Sequence, residues 1–197
     1  MLKRFVVAFM SVGLIVLGSL SGGQSPFVFA QQPIVGHLSA EQRSAIQLLV
    51  SSHSTPADFF TRGPVIVQSN FKPGEPVYIG LVMTNTRPEP ARVCAFSNPF
   101  YQNRPQLTRD GRLVAYSEHI NELVRQSDEG TLCEFTRTPD IVDLKTNVPF
   151  HVPIIDLREW YGPLSSGHYT LFLKHTFACC ADGLWNSTNV ISFDVTL

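Results

Sequence analysis

Tyr169-Thr-Leu-Phe-Leu-Lys-His-Thr-Phe177 and Val190-Ile-Ser-Phe-Asp-Val-Thr-Leu197 decide the fold. In the first, Tyr169, Leu171, Leu173, His175 and Phe177 alternate with Thr170, Phe172, Lys174 and Thr176. In the second, Ile191, Phe193, Val195 and Leu197 alternate with Val190, Ser192, Asp194 and Thr196. A period of two with one apolar and one largely polar phase is a strand covered on one face. Two such strands in succession predict two sheets that share a single core.

The same period extends upstream. Val77, Ile79, Leu81 and Met83 alternate with Tyr78, Gly80, Val82 and Thr84, and shorter strands are predicted at Val65-Ile66-Val67 and Arg92–Phe96. Asp110-Gly111 stands between two strand-like runs, and Asp-Gly favours positive φ at both centres of a hairpin turn. Pro149 and Pro153 put their missing N–H groups on one side of a strand, which predicts an edge. Asp156-Leu-Arg-Glu159 reads as one capped helical turn leading into Trp160-Tyr161-Gly162. Residues 117–139, with Ile120, Leu123 and Val124 at helical spacing, read as a surface excursion with one or two helical turns. At the other end, Ser39-Ala-Glu-Gln42 is a capping box, and Ile46, Leu49 and Val50 follow at helical spacing, predicting an amphipathic helix over about 39–51. About seven or eight strands with no alternation of strand and helix predict a mainly β chain. The expected architecture is an immunoglobulin-like antiparallel two-sheet sandwich over 64–197, preceded by an extension, 31–63, that carries the short helix.

Residues 1–30 address the chain. Lys3 and Arg4 precede an uncharged apolar run from Phe5 to Leu20, and a small polar stretch ends in Val28-Phe29-Ala30. This is the layout of a secretory signal peptide cleaved after Ala30. The apolar run falls short of the roughly 20 residues a membrane span needs, so no span is expected after cleavage. The expected location is periplasmic or extracellular. The whole chain has a formal net charge of −1, and losing Lys3 and Arg4 makes it slightly more acidic, which argues against a nucleic-acid partner.

Phe71-Lys-Pro-Gly-Glu75 before one strand and Leu164-Ser-Ser-Gly-His-Tyr-Thr-Leu171 into another resemble immunoglobulin-like or fibronectin-III-like domains of exported bacterial proteins. Trp160-Tyr161-Gly162 and Trp185-Asn-Ser-Thr-Asn-Val190 are similar to features of uncharacterised proteins of this type. The resemblance covers about residues 64–197 and implies a fold and an address, with no catalytic residues. It implies that Tyr169 is a tyrosine corner whose hydroxyl bonds back to nearby backbone. No Cys stands two residues after Tyr169, and the Cys…Trp…Cys spacing of antibody domains is absent.

Cys94, Cys133, Cys179 and Cys180 make an even set in an exported chain, which favours two disulfides. A Cys179–Cys180 bond would close a strained ring, and the two remaining pairings both tie that dipeptide to Cys94 and Cys133. Each would close a long loop. His175 in an apolar phase, with His151, has the residue type of a copper or zinc ligand, but a hydrogen-bonded core histidine is the favoured reading. His37 and His53 are placed outside the sandwich, and His119 in the excursion. No nucleophile-elbow, zinc-protease or phosphate-loop pattern occurs, so no enzyme and no cofactor or metal is expected.

Binding remains. Loops Asn85–Ala91 and Ala178–Ser187 are expected at one end of the sandwich, offering Arg87 and Trp185, with Phe100 and Tyr101 in the loop 97–105. Trp160 and Tyr161 are expected to cover the opposite end. Asn186-Ser187-Thr188 is a glycosylation triplet in a eukaryotic secretory host. The expected function is an exported module that binds a protein or glycan or serves as an envelope component. The alternatives are a secreted hydrolase inhibitor, or a metal-handling or redox protein built on His175, Cys179 and Cys180.

Overall fold

In the computed structural model, described residues are 38–62, 68–95, 99–129, 140–179 and 184–197, and all of them fall within one compact unit. The signal peptide expected at 1–30, the strand expected at 65–67, Cys133 and Cys180 lie outside them. The chain runs α1 (Ala40–Ser44), β1 (Ile46–His53), α2 (Pro56–Arg62), β2 (Asn70–Phe71), β3 (Tyr78–Asn85) and β4 (Ala91–Ala95). A 3-10 turn (Pro99–Tyr101) then leads to β5 (Asn103–Arg109), β6 (Arg112–Leu113), α3 (Glu118–Asp128), β7 (Asp140–Leu144) and β8 (Pro149–Asp156). The last elements are α4 (Leu157–Tyr161), β9 (Gly167–His175), β10 (Asn186–Ser187) and β11 (Ile191–Val195).

The protein is mainly β, with three sheets among the described residues. One has the order β1-β3-β8; the second runs β2-β11-β9-β5-β6, with β10 also on β9; β4 and β7 form a third. Among the described strands all pairings are antiparallel except β2 with β11. The two alternating stretches within 169–177 and 190–197 form β9 and β11, paired from Ile191 opposite Leu171 to Val195 opposite Gly167. Their apolar phases join Leu48 and Val50 of β1, Ile79, Leu81 and Met83 of β3, and Leu107 of β5 in a single core cluster.

The helix expected over 39–51 is a correction. The capping box forms as read, Ser39 and Gln42 exchanging side-chain bonds, but the helix stops at Ser44. From Ile46 the period is two: Ile46, Leu48 and Val50 are buried while Gln47 and Leu49 are exposed. Ile46, Leu49 and Val50 fit helical spacing, but a short isolated helix is marginal in water. Pairing with β3 along all eight residues of β1 satisfies the backbone and buries one phase. His53, expected outside the sandwich, therefore ends a sheet strand and is buried.

Other expectations hold. Asp110 and Gly111 have φ of 50° and 78°, the two positive values a tight hairpin needs. Among the described residues β8 is a terminal strand in its sheet, with Pro153 and Ile154 as a bulge opposite Gly80. The Asp156 carboxylate accepts from the Arg158 amide and caps the single turn of α4. The excursion holds a longer helix than read, the eleven residues of α3, with Ile120 buried and Leu123 and Val124 packed on the core. β3 is buried on both faces, because Phe59 of α2 closes over Gly80 on the side away from the core.

Candidate functional site

The site begins with a proline inside a strand. Leu107 and Pro105 share a phase of β5, and the Leu107 carbonyl accepts from the Val114 amide, on the side away from β9. The absent N–H of Pro105 therefore falls on that same side. The ladder between β5 and the chain beyond β6 has no donor there, so it ends and the chain peels away. The Pro105 carbonyl is satisfied instead by two phenols: Tyr116 Oη donates at 2.7 Å and Tyr161 Oη at 2.6 Å. Gln106 Nε2 donates to the Tyr116 hydroxyl at 2.9 Å.

Two short elements hold these tyrosines. α4 carries Tyr161 beside buried Trp160, whose carbonyl accepts from the Ser117 amide at the start of α3. The Tyr116 ring lies 5.5 Å from Trp160 and 5.3 Å from Tyr161. Burial pushes the Tyr116 phenol up to about 12 and also raises that of Tyr161. Both are neutral donors at physiological pH.

Where the chain peels off, a cleft of about 230 Å³ opens, lined by Pro105, Gln106, Leu113, Val114, Ala115, Tyr116, Asn121 and Tyr161. Among the described residues its lining contains apolar groups, amides and two phenols, with no carboxylate, imidazole, thiol or ammonium. A second concavity of about 500 Å³, lined by Arg109, Asp110, Arg112, Leu113 and Val114, shares the Leu113–Val114 wall.

The residues picked from sequence lie elsewhere. Arg87 is half-buried and paired with Glu41 at 2.8 Å and Glu89 at 3.5 Å, holding the β3–β4 turn against α1. Phe100, expected as a loop anchor, is buried in the core, stacked on Trp160 at 5.6 Å, with Tyr101 edge-on at 5.7 Å. Trp185 is half-buried under the guanidinium of Arg104, 5.0 Å from its ring centroid. Arg104 was not singled out by its sequence, yet it organises this end. Its side chain is 6 % exposed, lies 5.4 Å over Phe100, donates to the carbonyls of Phe100 and Asn103, and pairs with Asp128 at 2.8 Å. Phe100 thus touches both Trp160 and the cation on Trp185, so the two tryptophans share one end and are not on opposite ends as expected. Loops 85–91 and 178–187 do not emerge together either. The first enters β4 at Ala91, whereas the second begins beside Cys94, three residues along that strand, whose amide donates to Phe177.

The Tyr169 hydroxyl donates to the Ser165 carbonyl, four residues back, at 2.8 Å, and its ring stacks on Phe193 at 5.3 Å. Cys94 and Cys179 form a disulfide. His175 is fully buried with Nδ1 2.9 Å from Asn103 Oδ1, and burial lowers its pKa to about 3. His151 belongs to the other large sheet, against Phe59 at 4.9 Å. Among the described residues no group of three or more His, Cys, Asp or Glu is placed to hold a metal. The cleft residues Gln106, Tyr116 and Asn121 do not stand out in the sequence, which places Pro105 at the end of a loop, 97–105; β5 begins at Asn103 instead and takes Pro105 into the sheet.

No family model, curated protein or solved structure matches this chain.

Proposed function

We propose that this protein is an exported, non-enzymatic module of immunoglobulin-like type that binds another macromolecule through the cleft between β5, β6 and α3. The observation that carries this reading is the lining of the cleft. Apolar walls, two amides and two phenols held neutral by burial offer contact and hydrogen bonds, and near pH 7 they offer no group to take or give a proton. Export is supported by the leader layout of Met1–Ala30 and by the Cys94–Cys179 disulfide, which suits an oxidising compartment. The finer fold assignment is supported by the Tyr169 corner and by one core shared between the two larger sheets. The inhibitor alternative has less support, because Phe100 is buried and Trp185 is committed to Arg104.

The test is retention of a partner from the envelope extract or culture medium of the producing cell by the immobilised mature protein. Asn121 is exposed on α3, so Asn121→Arg should leave the fold intact while blocking the cleft. A retained partner that the folded variant loses supports the proposal. Equal retention by both proteins, or none by either, overturns it.

A further inference from the structure

We propose that the outer edge of β6 accepts an extended, acidic peptide segment of the partner as an added strand. This rests on the recognition role proposed for the adjoining cleft. Arg109 and Arg112 flank a two-residue turn, so they form the pair that exchanges hydrogen bonds. Leu113, opposite Thr108, is then the next, non-bonded position, and the following rung is bonded again, Val114 donating to Leu107 at 2.9 Å. The N–H and C=O of Leu113 therefore point away from β5.

β6 is the last strand in its sheet among the described residues, and the Leu113 side chain is 71 % exposed. Edges are commonly blunted by proline, lysine or a bulge. This one has neither proline nor lysine; it is two residues long, Arg112 beside a large aliphatic residue.

Charge selects the occupant. The Arg112 side chain makes no hydrogen bond or ion pair among the described residues, unlike that of Arg109, which donates to Ser165 and Ser166 and sits 3.6 Å from Asp110. Both arginines line the concavity that shares the Leu113–Val114 wall with the cleft. A strand bonded to Leu113 would lie between an apolar, amide-lined hollow and an uncompensated guanidinium. It would present an apolar side chain to the first and a carboxylate to the second, with backbone bonds supplying affinity and the alternate side chains specificity.

The experiment is an amide NMR titration of the exported protein with acetyl-Thr-Val-Asp-Val-Thr-amide. Its controls are the peptide with lysine for aspartate and the peptide N-methylated at one valine. The expected result is a shift of the Leu113 amide with slowed hydrogen exchange. Binding should be about ten-fold weaker for the lysine peptide and for Arg112→Glu, and N-methylation should abolish it. Perturbation confined to Gln106, Tyr116 and Asn121, with Leu113 unmoved, overturns strand addition and leaves the cleft reading standing. Equal binding of the lysine peptide, or no binding of the acidic one, also overturns the inference, whereas the cleft reading fails only in the retention experiment with Asn121→Arg.

Discussion

Replacing Gly80 with alanine should detach α2 from its sheet. An alanine Cβ there would lie 2.8 Å from Phe59 Cγ and closer still to two other ring carbons. Carbon atoms rest about 3.5–4.0 Å apart, so ring and strand must separate by roughly 1 Å or more. The strand yields little, because β3 is the central strand of its sheet and Gly80 pairs with Ser51 of β1. The ring cannot slide, because it is wholly buried with His53 at 5.6 Å and His151 at 4.9 Å. Forcing extra carbon into a packed site costs about 1–3 kcal/mol. The ceiling is loss of the Phe59 contact altogether, about 3–5 kcal/mol on the scale of Phe→Ala substitutions. The smaller chain entropy of alanine in the unfolded state returns only about 0.4–1 kcal/mol. Urea denaturation followed by circular dichroism should show a net loss of about 2–3 kcal/mol, equivalent to roughly 4–12 °C in Tm for a domain of this size. The double variant with Phe59→Ala should be no less stable than Phe59→Ala alone, because the clash has then been removed. A loss below about 0.5 kcal/mol for Gly80→Ala, or losses that add in the double variant, would refute the reasoning.

Four further outcomes are expected. Tyr169→Phe keeps the stack on Phe193 but removes the donor to Ser165, and should lower stability by about 1 kcal/mol in the same urea assay. Gly111→Ala has open space around its Cβ but imposes φ of 78° on an L-residue, so it should cost about 1–2 kcal/mol through the backbone alone, with Gly111→Asn costing less. Burial keeps His175 neutral in the folded state down to about pH 3, whereas the unfolded chain takes up that proton near pH 6.5. This contribution to stability is full above pH 6.5 and is lost as pH falls toward 3; His175→Gln should flatten that part of the profile, and the His175 ring resonances should not titrate at pH 5. Joint replacement of Cys94 and Cys179 by alanine opens a link across 85 residues and should cost about 2–4 kcal/mol in urea, with non-reducing peptide mapping of the parent recovering the Cys94–Cys179 peptide.

Much of the strand pattern was legible because a half-buried strand writes its environment into alternate residues, as β9 and β11 do. The Asp110-Gly111 turn, the Asp156 cap and the two prolines of β8 were legible for a similar reason: each has a backbone requirement that few residues meet. Ile46-Gln-Leu-Leu-Val50 misled because apolar residues at 46, 49 and 50 fit one period and those at 46, 48 and 50 fit the other. What settles the choice is the partner strand β3, far along the chain.

The cleft shows the same division. The sequence by itself determined that the chain is mainly β, where several of its turns fall, and that Tyr169 could serve as a corner, but it placed Pro105 in a loop and not in β5. Only the tertiary structure decided that Pro105 faces away from β9, that Tyr116 and Tyr161 meet at its carbonyl, and that Phe100 and Trp185 are committed to Arg104. The physical reason is range. Periodicity and turn chemistry act between neighbours in the chain and leave their mark on the residues themselves. The choice between an exposed anchor and a buried one depends on contacts between residues as distant as Arg104 and Trp185, and neither residue type records that outcome.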